Sequence, residues 1–109
     1  MDLNRIELIG RVVATPEVSG EEAKKRARFT LAVNRTFKNS KGEYTADFFK
    51  AIAWRKLADV AAKLKKGDTV LLIGSLYNNN YTDKDGVQRY DNEISVDQIR
   101  YLKSPKAAE

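Results

Sequence analysis

Residues 46–67 read ADFFKAIAWRKLADVAAKLKKG, and the spacing of their apolar side chains changes partway along. Over Ala46–Trp54 the pattern has a period of two, which predicts a β-strand. Between Arg55 and Lys66 the period lengthens to that of an α-helix, with one apolar stripe formed by Leu57, Val60, Ala61 and Leu64. Gly67 can end this helix in a left-handed conformation. A strand that continues directly into a helix is therefore the central feature of the fold.

The rest of the chain predicts four more strands and a protruding hairpin. The strands are Arg5–Val13, Arg28–Phe37, Thr69 to about Tyr77, and Glu93–Leu102. The hairpin has polar arms at 78–82 and 87–92 around an Asp-Gly turn at 83–86, and residues 19–26 read as a charged loop.

Three strands, one helix and two strands do not alternate as in a parallel α/β fold. They predict an all-β protein: a five-stranded Greek-key OB-fold barrel with one α-helix between strands 3 and 4. Other small five-stranded barrels remain an alternative, although they usually lack a full helix at this point. We expect one domain over 1–103 and a short flexible C-terminal end over 104–109.

Lys50 orients the third strand, because both of its faces contain apolar residues. An unpaired ammonium group is almost never fully buried, so the face that carries Lys50 should look outward. This places Phe48 and Trp54 on the surface beside a positive charge. Phe49 lies on the opposite face, and we expect it to pack in the core together with Phe29 of the second strand.

The composition excludes several classes of function. The chain of 109 residues has no His and no Cys, which removes the Ser-His-Asp triad, an imidazole base, and metal sites built on these residues. The carboxylates nearest to the basic region lack the spacing of a metal pair in a nuclease; they are Asp47, Asp91, Glu93 and Asp97. We therefore expect no enzyme, no cofactor and no metal.

Apolar stretches and the N-terminal residues bear on the cellular location of the protein. No stretch approaches the ~20 consecutive apolar residues of a membrane span, and the N-terminus does not read as a secretion signal. We expect a cytoplasmic protein associated with the nucleoid.

Positive charge is concentrated in one segment. The net charge is +5, and Lys24–Lys56 holds ten basic residues against two acidic ones. Such a field attracts polyanions. An OB-fold binds ligands across strands 2 and 3 and the loops joining strands 1 to 2 and 4 to 5, which here include this segment and the hairpin. The candidate phosphate contacts are Arg11, Arg28, Arg35, Lys38, Lys41, Lys50, Arg55, Lys56, Lys84 and Arg89.

Aromatic residues accompany these cations. Phe37, Phe48 and Trp54 fall on strands 2 and 3, and the hairpin adds Tyr77, Tyr81 and Tyr90. Aromatic rings stack on unpaired bases with little sequence preference while Lys and Arg follow the phosphates. Duplex DNA hides its base faces, so the pattern predicts binding of single strands.

Three segments resemble the bacterial single-stranded DNA-binding protein family (SSB): NRIELIGRVVATPE, FTLAVNRTFKNSKGEYTADFFKAIAWRKLADVAAKLKKGD and YTDKDGVQRY. The similarity extends from Asn4 to Leu102. It implies an OB-fold that assembles as a homotetramer, carries single-stranded DNA on its outer surface, and protects it during replication, recombination and repair. It also implies that the rings which stack on bases are Phe37, Phe48, Trp54 and Tyr81.

The sequence departs from the family pattern in two places. Members often carry Arg or Lys just before the hairpin aromatic, where this chain has Asn78–Asn80, so phosphate contacts should be weaker there. Members usually continue through a flexible linker to an acidic tip that recruits replication and repair proteins. This chain stops at Glu109 without them, so we expect either a short form of the family or a piece of a longer protein, and we assign it no tip-dependent partners.

Two rival functions within binding remain. A primosome-type OB-fold adaptor would bind mainly protein partners and hold single-stranded DNA with modest affinity. An RNA-binding cold-shock barrel fits less well, because such barrels are shorter and lack the helix.

Overall fold

The computed structural model describes residues 1–105, which form eight strands and one α-helix. A short 3-10 helix lies at Glu22–Lys24. The elements are β1 (Ile6–Val12), β2 (Glu17–Ser19), β3 (Arg26–Lys38), β4 (Tyr44–Trp54), α1 (Lys56–Ala62), β5 (Thr69–Asn78), β6 (Tyr81–Thr82), β7 (Gln88–Arg89) and β8 (Asn92–Lys103). The end predicted at 104–109 lies outside the described residues from 106 onward.

Five strands close into a barrel in the order β1, β5, β8, β4, β3. A short antiparallel pairing between β1 and β3, at Arg11–Ala32 and Val12–Leu31, closes the barrel. β4 and β8 are parallel and pair only at Ala51–Ile94 and Ile52–Ser95. With α1 between the third and fourth barrel strands, this arrangement confirms the predicted five-stranded OB-fold barrel.

Alternate residues of the strands fill the barrel. On β3, Phe29 and Leu31 are buried as predicted, and β1 turns Gly10 and Val12 inward. Helix α1 contributes Ala58 and Ala61 to the same core. Each fully buried large apolar side chain of such a core stabilises the fold by about 1.5–3 kcal/mol.

Two predicted core residues are exposed. Phe49 was expected inside the barrel but retains 36% of its surface. It lies level with Leu31 on the inward side of β4, yet the β4–β8 pairing ends at Ala51, so the barrel is open beside its ring. In the helix, Val60 is 44% exposed, whereas Ala58, which was not in the predicted stripe, is fully buried. The side of α1 that packs on the barrel is therefore rotated about the helix axis relative to the predicted stripe.

Other differences concern strand boundaries. Glu17–Ser19 form a strand against Arg26–Arg28, and this pairing overlaps both ends of the loop expected at 19–26. Helix α1 ends at Ala62, before the predicted Lys66. The pairing of β5 and β8 shifts register between Ile73 and Gly74, and Gln98 is exposed although its spacing from Ile94 and Val96 would place it inside a regular strand's buried face.

Candidate nucleic-acid interface

The predicted binding surface is the outward side of the two longest strands. We call it the outer β3–β4 face, formed by Arg26, Arg28, Thr30, Ala32, Phe48, Lys50, Ile52 and Trp54. These residues pair directly across the antiparallel ladder: Arg26 with Trp54, Arg28 with Ile52, Thr30 with Lys50, and Ala32 with Phe48. Directly opposed residues share one side of a sheet, so the register brings the basic and aromatic side chains together.

Aromatic rings mark the two ends of this face. Phe48 is 64% exposed and Trp54 is 42% exposed. They lie six positions apart on the strand, a distance of about 20 Å at the rise of a β-strand. Between them Ile52, which lies beside Arg28 and Ser95 in the sheet, is fully buried. Ile52 therefore offers no apolar surface to a ligand, although it lies on the same side of β4 as Phe48 and Trp54.

The other two predicted stacking residues lie on hairpins that extend from the barrel. Phe37 is the most exposed of the four rings and sits near the tip of the β3–β4 hairpin. Tyr81 is exposed on β6, which pairs only with β7. The predicted exposure of Phe48 and Trp54 is confirmed, and the stacking role of all four rings stays a prediction.

The turn from β4 into α1 positions further cations beside Trp54. Arg55 adopts φ 56° and ψ −119°, a backbone conformation that strains a residue with a side chain. Its N–H donates to the carbonyl of Lys25 at 2.8 Å, which ties the turn to the start of β3. Lys56 follows at the first position of α1, and both Arg55 and Lys56 are exposed.

Carboxylates from β8 and the residue before it reach the two central cations. Lys50 Nζ lies 2.8 Å from Asp91 Oδ2, and Arg28 Nε lies 3.4 Å from Glu93 Oε2. The hydrogen bond between Lys50 and Asp91 raises the pKa of the ammonium group and lowers the pKa of the carboxyl group. Part of the local positive charge is therefore neutralised within the fold.

Glu93 is held more firmly than Asp91. Its side chain is 4% exposed and also accepts a hydrogen bond from the hydroxyl group of Tyr77. Burial and this hydrogen bond raise the pKa of Tyr77 to about 12. Arg28, Lys50 and Glu93 also line a groove of about 280 Å³ beside Val13–Thr15.

Arg35 lies apart from this surface. Its guanidinium group binds Asp47 through two nitrogens, with Nη2–Oδ1 at 2.8 Å and Nε–Oδ2 at 3.0 Å. Asp47 precedes Phe48 in β4, so the two side chains point to opposite faces of the strand. The pair raises the pKa of Arg35 and lowers the pKa of Asp47 through this hydrogen bonding.

The remaining predicted phosphate contacts are exposed but scattered. Arg11 lies next to Ala32 across the β1–β3 contact, and its Nη2 donates to Asn34 Oδ1 at 3.3 Å. Arg89 donates to Asp83 at 2.8 Å within the turn of the β6–β7 hairpin. Two lysines sit in turns away from the outer β3–β4 face; they are Lys41 and Lys84.

Two residues near the predicted site were missed. Tyr44 is 62% exposed, and Lys38 Nζ lies 5.7 Å from the centroid of the Tyr44 ring. Tyr44 has the same parity on β4 as Phe48, and this spacing could have indicated its exposure. Arg26 contacts Trp54 in the same manner at 5.8 Å. The sequence placed Arg26 only within the basic segment. It could not pair Arg26 with Trp54, because the register between β3 and β4 cannot be read from the sequence.

Residues 1–105 contain no cluster of three or more Asp or Glu side chains that could hold a metal ion. Within the same part of the chain, α1 is too short to cross a membrane, and no helix meets the length and hydropathy that a membrane span requires.

The fold is an OB-fold barrel whose outer β3–β4 face carries basic and aromatic side chains. The chain belongs to the single-strand binding protein family, which it matches over residues 3–102. Members of this family are DNA-binding proteins without enzymatic activity, in agreement with the expectation of no catalysis. The resemblance seen in the sequence is thus confirmed.

Sequence alignments with named relatives extend over almost the whole chain. It is 39% identical over 98% of its length to "Single-stranded DNA-binding protein 2" and 42% identical over 94% to "Single-stranded DNA-binding protein 3", both from Listeria innocua. The chain spans 69% and 65% of those proteins, so it matches about two thirds of their length. "Single-stranded DNA-binding protein 1" of Clostridium acetobutylicum is 38% identical and is spanned over 99%.

A solved structure shows the same architecture. The chain superposes with a TM-score of 0.81 and 26% identity on a structure described as the Plasmodium falciparum SSB complex with ssDNA. The match covers 94% of this chain and 97% of the other.

Proposed function

We propose that this protein binds single-stranded DNA with little sequence preference. The observation that carries the proposal is the placement of Phe48 and Trp54 at the two ends of a basic strand face, in a chain of the single-strand binding protein family. Ring faces of this kind bind unpaired bases, and each stacked base contributes about 1–3 kcal/mol. The relatives' names and the similar structure with ssDNA support the same ligand.

The proposed path of the strand follows the outer β3–β4 face from Trp54 to Phe48. Arg55 and Lys56 contact phosphates at the Trp54 end, and Arg11 does so at the Phe48 end. Arg28 and Lys50 lie between them, but each already faces a carboxylate. Phe37 and Tyr81 extend the contact surface onto the two hairpins.

The wider roles follow from the family. We propose protection of single-stranded DNA during replication, recombination and repair, by a homotetramer. Exposed apolar side chains at the open end of the barrel, including Phe49 and Leu76, are available for such subunit contacts. Sedimentation at micromolar concentration tests the assembly, and a monomer would contradict it.

Titration of Trp54 fluorescence with oligo-dT of increasing length tests the ligand directly, because Trp54 is the only tryptophan of the chain. We expect quenching by single strands, weaker binding of a duplex of equal length, and a logarithmic salt slope of roughly −0.7 for each phosphate neutralised. Equal affinity for the duplex would contradict base stacking. A binding constant independent of salt would remove the cations from the mechanism.

A further inference from the structure

Lys50 and Asp91 form an ion pair at the point where two barrel strands separate. Lys50 lies on β4, and Asp91 immediately precedes β8. These strands pair at Ala51–Ile94 and Ile52–Ser95, and the ion pair spans the gap beyond this pairing. The gap is a cleft of about 250 Å³ whose wall includes Phe48 and Phe49.

The Lys50 side chain is exposed, which makes its carboxylate partner displaceable. Lys50 retains 59% and Asp91 33% of their side-chain surface. The neighbouring pair differs, because Glu93 is 4% exposed and is also bound by Tyr77. Solvent-exposed ion pairs contribute little stability, so a second anion can replace Asp91 at Lys50 at low cost.

A DNA phosphate and the Asp91 carboxylate present the same chemistry to Lys50, since both offer anionic oxygens to an ammonium group. Lys50 lies two residues from Phe48 on the same face of β4. A strand that stacks a base on Phe48 therefore brings its backbone phosphates close to the position that Asp91 Oδ2 occupies.

We propose that Asp91 competes intramolecularly with DNA phosphates for Lys50 and so limits the affinity of this protein for single strands. The proposal rests on the function proposed above. In the free protein Asp91 holds Lys50, and in the complex a phosphate replaces the carboxylate. Asp91 therefore sets how much of the charge on this face is available to DNA.

The test compares Asp91→Asn with Asp97→Asn in oligo-dT titrations. Both changes raise the net charge by one, but Asp97 is exposed on β8 and makes no ion pair within residues 1–105. We expect Asp91→Asn to raise affinity about two- to fivefold beyond the control, the range of exposed ion pairs. The salt slope should stay close to that of the control, because Lys50 neutralises a phosphate in the complexes of both variants.

A second background makes the test specific to Lys50. In Lys50→Met protein, Asp91→Asn should give no more gain than Asp97→Asn, because the cation under competition is gone. Asp91→Ser repeats the measurement with a different side chain in case the amide prevents folding, which circular dichroism reports. An affinity of Asp91→Asn equal to that of the Asp97 control, or a full gain in the Lys50→Met background, would overturn the proposal. Failure of the unmodified protein to bind oligo-dT would instead overturn the proposed function.

Discussion

The guanidinium carbon of Arg26 lies 5.8 Å from the centroid of the Trp54 ring. The two residues are direct partners in the β3–β4 ladder, so the backbone register holds the cation over the indole. A cation on one face of an aromatic ring attracts its π-electrons and helps to fix the orientation of the ring. We expect a nucleobase to stack on the opposite face of the indole.

Trp54→Ala should weaken binding of oligo-dT by about 1–3 kcal/mol, the contribution of one stacked base. The fold should remain intact, because the ring is 42% exposed. Anisotropy of a labelled oligonucleotide measures the affinity, since this variant has lost its own fluorophore.

The matched control is Tyr101→Ala, which removes an aromatic ring that is 55% exposed on β8. This change should leave the affinity within about twofold of the unmodified protein. Unchanged affinity in the Trp54 variant would make the indole a packing residue.

Arg55→Gly should stabilise the fold and weaken DNA binding at the same time. Arg55 has a φ of 56° with ψ −119°, and relief of such strain by glycine is expected to gain about 1–2 kcal/mol in the free energy of unfolding. The lost guanidinium group should reduce the affinity and the salt slope. Guanidinium denaturation and salt-dependent titration measure the two effects, and a stabilised variant with full affinity would show that Arg55 does not contact DNA.

The two arginines Arg11 and Arg35 should differ in importance. Arg11→Gln removes a cation next to Ala32, the ladder partner of Phe48, whereas Arg35→Gln removes one that binds Asp47 on the other side of β4. We therefore expect the larger loss of affinity from Arg11→Gln. Parallel titrations at one salt concentration compare them, and a larger loss for Arg35 would place the DNA path on the opposite face.

Stability should fall at alkaline pH because of Tyr77. Its pKa is about 12 in the fold and near 10 in the unfolded chain, so the unfolded state releases the proton first as pH rises. The contribution is fully present below pH 10 and is lost between about pH 10 and 12, by about 1–3 kcal/mol in the free energy of unfolding.

Tyr77→Phe provides the control for this pH dependence. The variant should be less stable at pH 8, because Glu93 loses a hydrogen-bond donor in a buried position. It should also lose less stability on going to pH 11.5, as denaturant titrations at both pH values would measure. An identical alkaline loss in both proteins would mean that other groups cause it.

The barrel and its outward face could be predicted from the sequence because both depend on local patterns. The period of two in the strands and the change of period after Trp54 gave the element order. The charge on Lys50 gave the orientation of β4. These arguments need only neighbouring residues, and they correctly predicted that Phe48 and Trp54 are exposed.

What escaped prediction depends on contacts between distant parts of the chain. Asp91 lies 41 residues from Lys50 in the sequence, and no local pattern joins them. Phe49 has the right parity for the core, but the place where β4 leaves β8 decides its burial. Glu93 belongs to a face that reads as polar, although Tyr77 and Arg28 enclose it.

Because Phe48 and Trp54 belong to one continuous strand, their separation is fixed by the pleat of that strand and does not depend on the two hairpins. Insertion of a single residue between them would invert one ring toward the barrel interior. A change in strand length between these two rings therefore keeps both on the outer β3–β4 face only when it adds or removes an even number of residues.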